Sequence, residues 1–515
     1  MTPPSHDMKH TARPAKRPGN AIDRRTLLIG GSLGLGAAAV GVAMFEGKNS
    51  IVTENLAATA SSSASASASA SASGGTFTYP SLLSGTTSAG VTSFALTMET
   101  GIHDVLSGVS SSTMGYNGSY LGPTLKWTNG DVVKMNVTNS LGADTTTHWH
   151  GAHVPAYYDG GPQEAFSDGT TWSPSFTVNQ NGACTLWYHP HALGTTAEQV
   201  THGLAGMIIV EDATTTSSDL PSDYGVDDIP VILQCLCTDT SGDIKYNLSG
   251  YLGSGLEFPV LCNGTNVDNT TLTFTATKTR NRIRLLNASP ADIITVSRTD
   301  GGDMTQIATE QGYLAAAETV TGIRLVAGER AEIVLDLTEA VTLQAVITTG
   351  WVKGGSGTYE FLTITPDASD TPAALPSSLT TIDRYDTTSF TARTITLNQS
   401  GTKMEIDGVS ATSTTAMTMI TTTLDSEEIW TIVNQTQLEH SFHMHDVPFQ
   451  IISVDGVTPT GAYLGWKDMI EVVGGSTVKI AMKFTDYTSD TYMYMFHCHI
   501  LMHEDEGMMA GLLVE

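Results

Sequence analysis

The chain is organised around the stretch His497-Cys498-His499-Ile500-Leu501-Met502-His503-Glu504-Asp505-Glu506-Gly507-Met508. Within it lie one thiol, three imidazoles and the thioether of Met508. A thiolate, imidazoles and a weak thioether are the ligand set of a blue-copper electron-transfer site. If His497 to His499 form a strand, Cys498 faces one side and its two neighbouring histidines face the other. The stretch therefore predicts one strand that serves two metal centres.

Three further clusters repeat the His-x-His pattern: His148-Trp149-His150, His189-Pro190-His191 and His440-Ser441-Phe442-His443-Met444-His445. On a strand, positions i and i+2 share a face, so each pair can direct two imidazoles at one centre. In the third cluster His440 lies on the face opposite to His443 and His445. The alternation of side chains along the strands therefore places eight histidines on one side, and His440, Cys498, His503 and Met508 on the other. The second set is a blue-copper signature, whereas the first has too many imidazoles for one ion and suits copper, zinc or iron.

Length and composition indicate an all-β protein of several domains. A chain of 515 residues suggests two to four domains, and long amphipathic helical patterns are hard to find. Short predicted strands, such as Val91 to Met98, Ile229 to Leu236 and Ile429 to Asn434, alternate with turn signals, which is typical of β-sandwiches. We divide the body into residues 76–213, 226–367 and 379–515, joined by polar or Pro-rich linkers. The middle unit contains no histidine.

The N-terminal region predicts export. Residues 1–56 combine basic residues, Arg24-Arg25 and an apolar run from Leu27 to Phe45, a pattern that resembles a twin-arginine signal. The alternative is a retained membrane anchor. Residues 57–75 are almost entirely Ser and Ala and predict a flexible linker.

The net charge argues against some classes of partner, and the number of cysteines limits the possible disulfides. The net charge is -28, and without residues 1–50 the body has 17 basic and 49 acidic residues, or -32. Such a surface argues against nucleic acid and anionic membranes as partners. If Cys498 binds metal, four cysteines remain, with three possible full pairings, and we predict no particular disulfide among them.

With these motifs in this order, the sequence resembles the three-domain multicopper oxidases, which include bacterial laccases, copper-efflux oxidases and spore-coat laccase-like proteins. The resemblance covers about residues 76–515 and includes the Cys-x4-His-x4-Met spacing. It extends to Tyr116-Asn117-Gly118, Leu121-Gly122-Pro123, Asp159-Gly160-Gly161-Pro162-Gln163, Gly203-Leu204-Ala205-Gly206 and Gly465-Trp466-Lys467-Asp468. It implies three cupredoxin-like Greek-key β-sandwiches.

The resemblance also implies four copper ions. His440, Cys498 and His503 would hold the type 1 copper, with Met508 axial. His148 and His443 would hold the type 2 copper. The type 3 pair would take His150, His189, His191, His445, His497 and His499. The resulting trinuclear cluster would lie between the first and third domains.

The implied reaction is one-electron oxidation of a phenolic, aromatic amine or metal-ion substrate, coupled to four-electron reduction of O2 to water. Glu504 resembles the proton-supplying carboxylate of the family, and Asp159 resembles its acidic residue near the type 2 site. The alternative for both is a structural acid that orients a ligand. Asp505 is expected to be a solvated loop charge, and His103, His153 and His202 are expected to be structural or exposed.

Alternative functions remain open at this point. A cuprous oxidase is one, although residues 352–420, where efflux-type relatives carry a Met-rich insertion, contain only Met404, Met417 and Met419. A non-enzymatic cupredoxin-fold envelope protein would not need all twelve ligand positions. We expect a monomer that is periplasmic, cell-surface or secreted, with no nucleic-acid partner and no membrane partner beyond an N-terminal anchor.

Overall fold

A computed structural model describes residues 74–213, 220–348 and 355–515. The predicted export segment and most of the Ser/Ala linker lie outside the described residues. Within them, three pairs of β-sheets each enclose a separate hydrophobic core. The all-β class predicted from the sequence is confirmed. The three strands named above all appear: the first continues from Val91 to Leu106, and the bounds of the other two shift by one or two residues.

The first sandwich packs two sheets around a core that includes Leu96, Trp127, Met135 and Leu186. One sheet has, in spatial order, Ser175–Thr177, Val132–Ser140, Val91–Leu106 and Thr86–Ser88, with Val109–Tyr116 and Thr171–Trp172 paired at its sides. The other has Leu82–Leu83, Thr124–Thr128, Gly206–Glu211, Cys184–His189 and His148–His150. The second sheet ends with the two strands that carry His189 and the pair His148 and His150.

The middle sandwich has the largest sheets. One contains Thr265–Asn266, Val260–Cys262, Asp228–Cys235, Arg280–Asn287, Arg330–Asp336, Met304–Thr309 and Gly312–Val320. The other contains Gly75–Thr76, Leu272–Ala276, Gly357–Pro366, Val341–Thr348, Ile293–Arg298 and Gly322–Leu325. A small sheet of Ile244–Lys245, Cys237–Asp239 and Leu256–Glu257 lies beside them. Gly75, expected to end the linker, instead pairs with Leu272, so the first described strand belongs to the middle sandwich.

The third sandwich carries the organising stretch. One sheet contains Lys403–Ile406, Thr391–Ser400, Glu427–Asn434, Thr477–Lys483 and Gln450–Val454. The other contains Thr418–Thr422, Met509–Val514, Tyr494–Cys498, His440–Met444 and Met469–Val472. The register pairs Phe442 with Cys498 and His443 with His497, which aligns two of the histidine clusters.

Helices are short in the described part of the chain. The α-helices are Thr196–Thr201, Leu248–Tyr251 and Leu501–Asp505, and the 3-10 helices are Ala156–Tyr158, Pro162–Glu164, Thr387–Ser389 and Gly461–Leu464. None of the helices among the described residues is long and apolar enough to cross a membrane. The helix Leu501–Asp505 turns the chain back between Cys498 and Met508, so both residues reach the same core.

Candidate metal centres

The strand Tyr494–Cys498 separates two donor sets, as its alternating side chains predict. Cys498 groups with His440 and His503, whereas His497 groups with His191 and His445. The strand itself ends at Cys498 and does not include His499. The ring centroid of His499 nevertheless lies 5.6 Å from that of His497, so both flanking histidines reach the same side.

The thiol-containing set is compact and buried. The Sγ of Cys498 lies 3.4 Å from Nδ1 of His440 and 3.7 Å from Nδ1 of His503. The hydroxyl of Thr436 lies 2.9 Å from Nε2 of His440, which holds that ring with Nδ1 towards the thiol. Met508 is fully buried in the same core, and its carbonyl accepts a 3.1 Å hydrogen bond from the N–H of Cys498. The structure therefore brings together the donors of His440, Cys498 and His503, with Met508 in the same core.

The imidazole set lies where the first and third sandwiches meet. Nε2 of His191 is 3.0 Å from Nε2 of His497, and the rings of His150 and His443 stack with centroids 3.7 Å apart. Each of these contacts joins a residue of the first sandwich to one of the third. All eight predicted histidines are buried here: His148, His150, His189, His191, His443, His445, His497 and His499.

Hydrogen bonds at Nδ1 decide which ring nitrogen faces the cluster. Nδ1 of His148 lies 2.9 Å from the carbonyl of Asp159, and Nδ1 of His443 lies 2.9 Å from the carbonyl of Asp468. A carbonyl only accepts, so Nδ1 carries the proton and Nε2 keeps its lone pair. Nε2 of both rings lacks a hydrogen-bond partner among the described residues. Buried lone pairs that converge without donors fit a bound metal ion.

The protonation states also fit metal binding. Burial, and then neighbouring imidazoles, lower the pKa of His443 well below its usual value, and burial lowers the pKa of His440 to about 4. These rings are therefore neutral, which is the form that ligates metals. Burial raises the pKa of the Cys498 thiol to about 12, so its thiolate requires a compensating cation such as a metal ion.

Both predicted carboxylates lie beside the imidazole set. Oδ2 of Asp159 is 2.6 Å from Nδ1 of His445. Oε2 of Glu504 is 3.1 Å from Nδ1 of His497, and Oε1 is 3.7 Å from Nδ1 of His191. Burial raises the pKa of Glu504, but His191 and His497 outweigh it and lower the pKa to about 2. The geometry therefore lets Asp159 share a proton with His445, and it places the ionised Glu504 beside two cluster histidines.

Sequence reasoning missed the role of Asp468. This buried carboxylate accepts bonds of 2.7 and 2.6 Å from the guanidinium of Arg330 and lies 3.3 Å from Nε2 of His150. Gln311 adds a third donor at 2.5 Å. Arg330 and Gln311 come from the middle sandwich, which therefore supports the cluster although it contributes no histidine. The stretch Gly465-Trp466-Lys467-Asp468 was the available signal, but its partners are remote in sequence.

Asp505 is not the solvated loop charge expected from the sequence. Its carboxylate accepts hydrogen bonds from the N–H groups of Thr196, at 3.2 Å, and Ala197, at 2.9 Å. These are the first residues of the helix Thr196–Thr201, whose own N-cap residue, Thr195, makes no side-chain cap. Asp505 therefore caps a helix of the first sandwich from the third.

The other histidines of the folded body have structural contacts. His103 stacks on Tyr120 at 4.6 Å, and His202 bonds the carbonyl of Glu198 at 2.7 Å. His153 is buried between two carboxylates, with Nδ1 2.6 Å from Asp446 and Nε2 3.0 Å from Asp486. The five cysteines are all buried and free.

The contacts of His153 with Asp446 and Asp486 predict that the stability of the folded protein depends on pH. Burial lowers the pKa of His153, but Asp446 and Asp486 outweigh it and raise the pKa to about 9. The unfolded side chain titrates near 6.5, so the stabilisation is full below about pH 6.5 and is lost as the pH rises through about 9. We expect His153→Gln to reduce the free energy of unfolding on the order of 3 kcal/mol at pH 6 and far less at pH 10. Denaturant unfolding measures this, with His202→Gln as the control, and an equal loss at both pH values would contradict it.

Comparison with known proteins gives one consistent family. Residues 97–215 and 375–515 match two domains described as multicopper oxidase. The multicopper oxidase mco of Staphylococcus haemolyticus is 34% identical over 411 residues, which cover 78% of this chain and 84% of that protein. The cell division protein FtsP of Escherichia coli is 31% identical over 428 residues, or 79% of this chain and 86% of that protein.

A solved structure agrees with these matches. The laccase-like multicopper oxidase CueO of Ochrobactrum sp. has a TM-score of 0.75 and 29% sequence identity, and the match covers 85% of this chain and all of that chain. That protein is described as having oxidase activity towards lignin model compounds and lignosulfonate.

Proposed function

Since the chain belongs to the multicopper oxidase family, we propose that it is a laccase-like oxidase of small-molecule reductants with O2 as the electron acceptor. His440, Cys498, His503 and Met508 would hold the type 1 copper. His148 and His443 would hold the type 2 copper, and His150, His189, His191, His445, His497 and His499 the type 3 pair. Copper bound in these sites supplies one-electron oxidation of the reductant and four-electron reduction of O2.

One observation carries this proposal: Cys498 is bonded through the backbone to a histidine of the other donor set on each side. The thiolate set and the imidazole set are therefore separated by the thickness of one strand. Thr436 orients His440, and the carbonyls of Asp159 and Asp468 fix the tautomers of His148 and His443. The residues thus hold both sets in position before any substrate arrives.

Glu504 and Asp159 are proposed to supply protons for O2 reduction. Both carboxylates are buried and contact Nδ1 of cluster histidines, and they approach from opposite sandwiches. Oε2 of Glu504 lies 3.1 Å from Nδ1 of His497, and Asp159 holds a proton between its Oδ2 and Nδ1 of His445. Both can accept further protons only through neighbouring polar groups, since neither is exposed.

Oxygen-uptake kinetics on the copper-loaded protein test the function. Phenols, bilirubin and Cu(I) are compared as reductants, and a preference for Cu(I) would favour the cuprous oxidase alternative. Metal analysis is expected to give about four copper ions per chain. Two or fewer on a fully loaded sample would contradict the trinuclear assignment. Absence of oxygen uptake with every reductant would favour a non-enzymatic role, which the similarity to FtsP makes worth testing.

Met508→Leu is expected to raise the reduction potential of the type 1 copper, because a thioether would be a weak donor to the metal that an alkyl group cannot replace. A spectroscopic redox titration measures the change. Met502→Leu, which changes a buried methionine of the helix Leu501–Asp505, is the matched control. An unchanged potential would show that Met508 is not a ligand.

We also propose that the protein is exported by the twin-arginine route, on the strength of the N-terminal sequence pattern. Fractionation of the producing cells, with Arg24→Lys/Arg25→Lys as the comparison, measures this. Export of that variant at the normal level would contradict the route.

A further inference from the structure

Five methionines share the histidine-bearing face of the sheet in the third sandwich. Along the strand Tyr494–Cys498 and the residue before it, Met493 and Met495 alternate with His497, on the face opposite to Cys498. The register places Met509 beside His497 and Gly511 beside both Met495 and Met419. Four of these side chains are buried in contact with one another: Met417, Met493, Met495 and Met509. Met419, in contrast, is 43% exposed, so the row runs from the surface to a histidine of the imidazole set.

Gly511 leaves a space between two of the sulfur atoms. A Cβ atom at this position would lie 2.5 Å from Sδ of Met493 and 2.6 Å from Sδ of Met419. Only glycine therefore allows both sulfurs to converge here. Thioethers are soft ligands that select Cu(I) over harder cations.

The buried methionines of this row adjoin an acidic opening. A cavity of about 530 Å³ lies between the first and third sandwiches, and Leu193 both lines it and packs against the buried methionines. Asp144 and Glu198 also line the cavity, whereas neither lysine nor arginine does. With the net charge of -28, this opening favours entry of a cation.

The inner end of the row reaches a carboxylate that lacks a partner. A Cβ atom on Gly161 would lie 3.5 Å from Oε2 of Glu164, 3.9 Å from Oδ2 of Asp159 and 3.9 Å from Cγ of Met495. Glu164 is 9% exposed, and neither of its oxygens has a hydrogen-bond partner among the described residues. A buried carboxylate is costly unless it is neutral or meets a cation. Asp159, its neighbour, contacts His445 of the imidazole set.

We propose that Met419 and Met493 form a Cu(I)-binding site, and that Met495 and Glu164 lead from this site to the imidazole set as an entry route for copper. The destination rests on the function proposed above, whereas the binding site does not. The transfer exchanges ligands only, and copper remains Cu(I) throughout. The route lies on the opposite face of the strand from Cys498, so it is separate from the thiolate set.

Cu(I) binding is tested on the copper-loaded protein, kept reduced and free of oxygen. Titration with Cu(I) against a colorimetric Cu(I) chelator is expected to show one ion beyond the resident copper. Binding of this ion should weaken at least tenfold in Met419→Leu/Met493→Leu. It should weaken similarly in Gly511→Ala, which keeps both thioethers but separates them. Met304→Leu/Met404→Leu, which changes two buried methionines outside the row, is the matched control. Equal affinity in all four proteins would overturn the site.

Delivery is tested by copper uptake. Copper-free protein is mixed with Cu(I), and the copper bound to the chain is measured over time. Uptake should slow several-fold in Met419→Leu/Met493→Leu and in Glu164→Gln, with the final content of resident copper unchanged. Uptake at the normal rate would overturn the delivery role. A protein that binds the additional Cu(I) but never consumes oxygen would refute the proposed function and leave the site supported, so the two failures are distinguishable.

Discussion

Replacing Cys498 with serine is expected to abolish the blue absorption and to reduce steady-state oxygen uptake below detection. Among the described residues, the Cys498 thiolate is the only sulfur anion that the fold directs at His440 and His503, and a hydroxyl is a hard, weakly acidic substitute. Cys498 is also joined by one peptide bond to His497 and by one to His499, both of which belong to the imidazole set. Under the proposed function, its loss therefore removes both the site of electron entry and the connection between the two donor sets.

The fold should survive this change, because serine differs from cysteine by one atom and the site is otherwise intact. Optical absorption, copper content and oxygen uptake are measured together, and we expect the loss of about one copper ion per chain. Cys262→Ser makes the same substitution at a fully buried position in the core of the middle sandwich, so it controls for the cost of a buried hydroxyl. A blue, active Cys498→Ser protein would contradict the assignment of the thiolate set.

The second large effect is expected for Asp468→Ala. Removing one partner of a buried ion pair leaves the other charge uncompensated, which typically costs about 3–5 kcal/mol. Here Arg330, fully buried, would lose both of its carboxylate bonds, and Gln311 would lose one acceptor. His150 would lose a neighbour as well, so copper content should fall along with stability.

Denaturant unfolding of the copper-free protein isolates the stability term. Asp336→Ala is a sharp control, because Asp336 makes a similar two-bond pair with Arg280, but its side chain is 48% exposed. Exposed pairs contribute about 0.2–1 kcal/mol, so the control should lose far less. The double variant Arg330→Met/Asp468→Leu should recover much of the loss. Equal destabilisation by Asp468→Ala and Asp336→Ala would show that burial of the pair carries no special cost.

The donor sets could be predicted because they depend on local geometry. Alternation along a strand is enough to separate His440 from His443 and Cys498 from its neighbours, and the structure brings each set together as parity requires. His499 shows the limit of that argument: the strand ends one residue earlier, and its ring reaches the cluster through the bend that follows.

The supporting contacts could not be predicted, since they depend on how distant segments meet. Arg330 and Asp468 are 138 positions apart, and nothing in either local sequence indicates the other. Asp505 reads as a surface charge until the helix Thr196–Thr201 is placed against it. The strand orders within the sheets, including the pairing of Gly75 with the middle sandwich, likewise follow from tertiary packing.

Four histidines of the imidazole set come from the first sandwich and four from the third, which are separated in sequence by the whole middle sandwich. Bound copper would therefore cross-link the first sandwich to the third. Closing so long a loop by a metal removes much of the entropy of the unfolded chain. Resistance to denaturation should therefore depend on the free copper concentration, and chelation should loosen the first sandwich from the third before either core melts. Copper would then stabilise the fold as well as take part in the reaction, and a cell short of copper would contain a form of the protein that proteases cleave more readily.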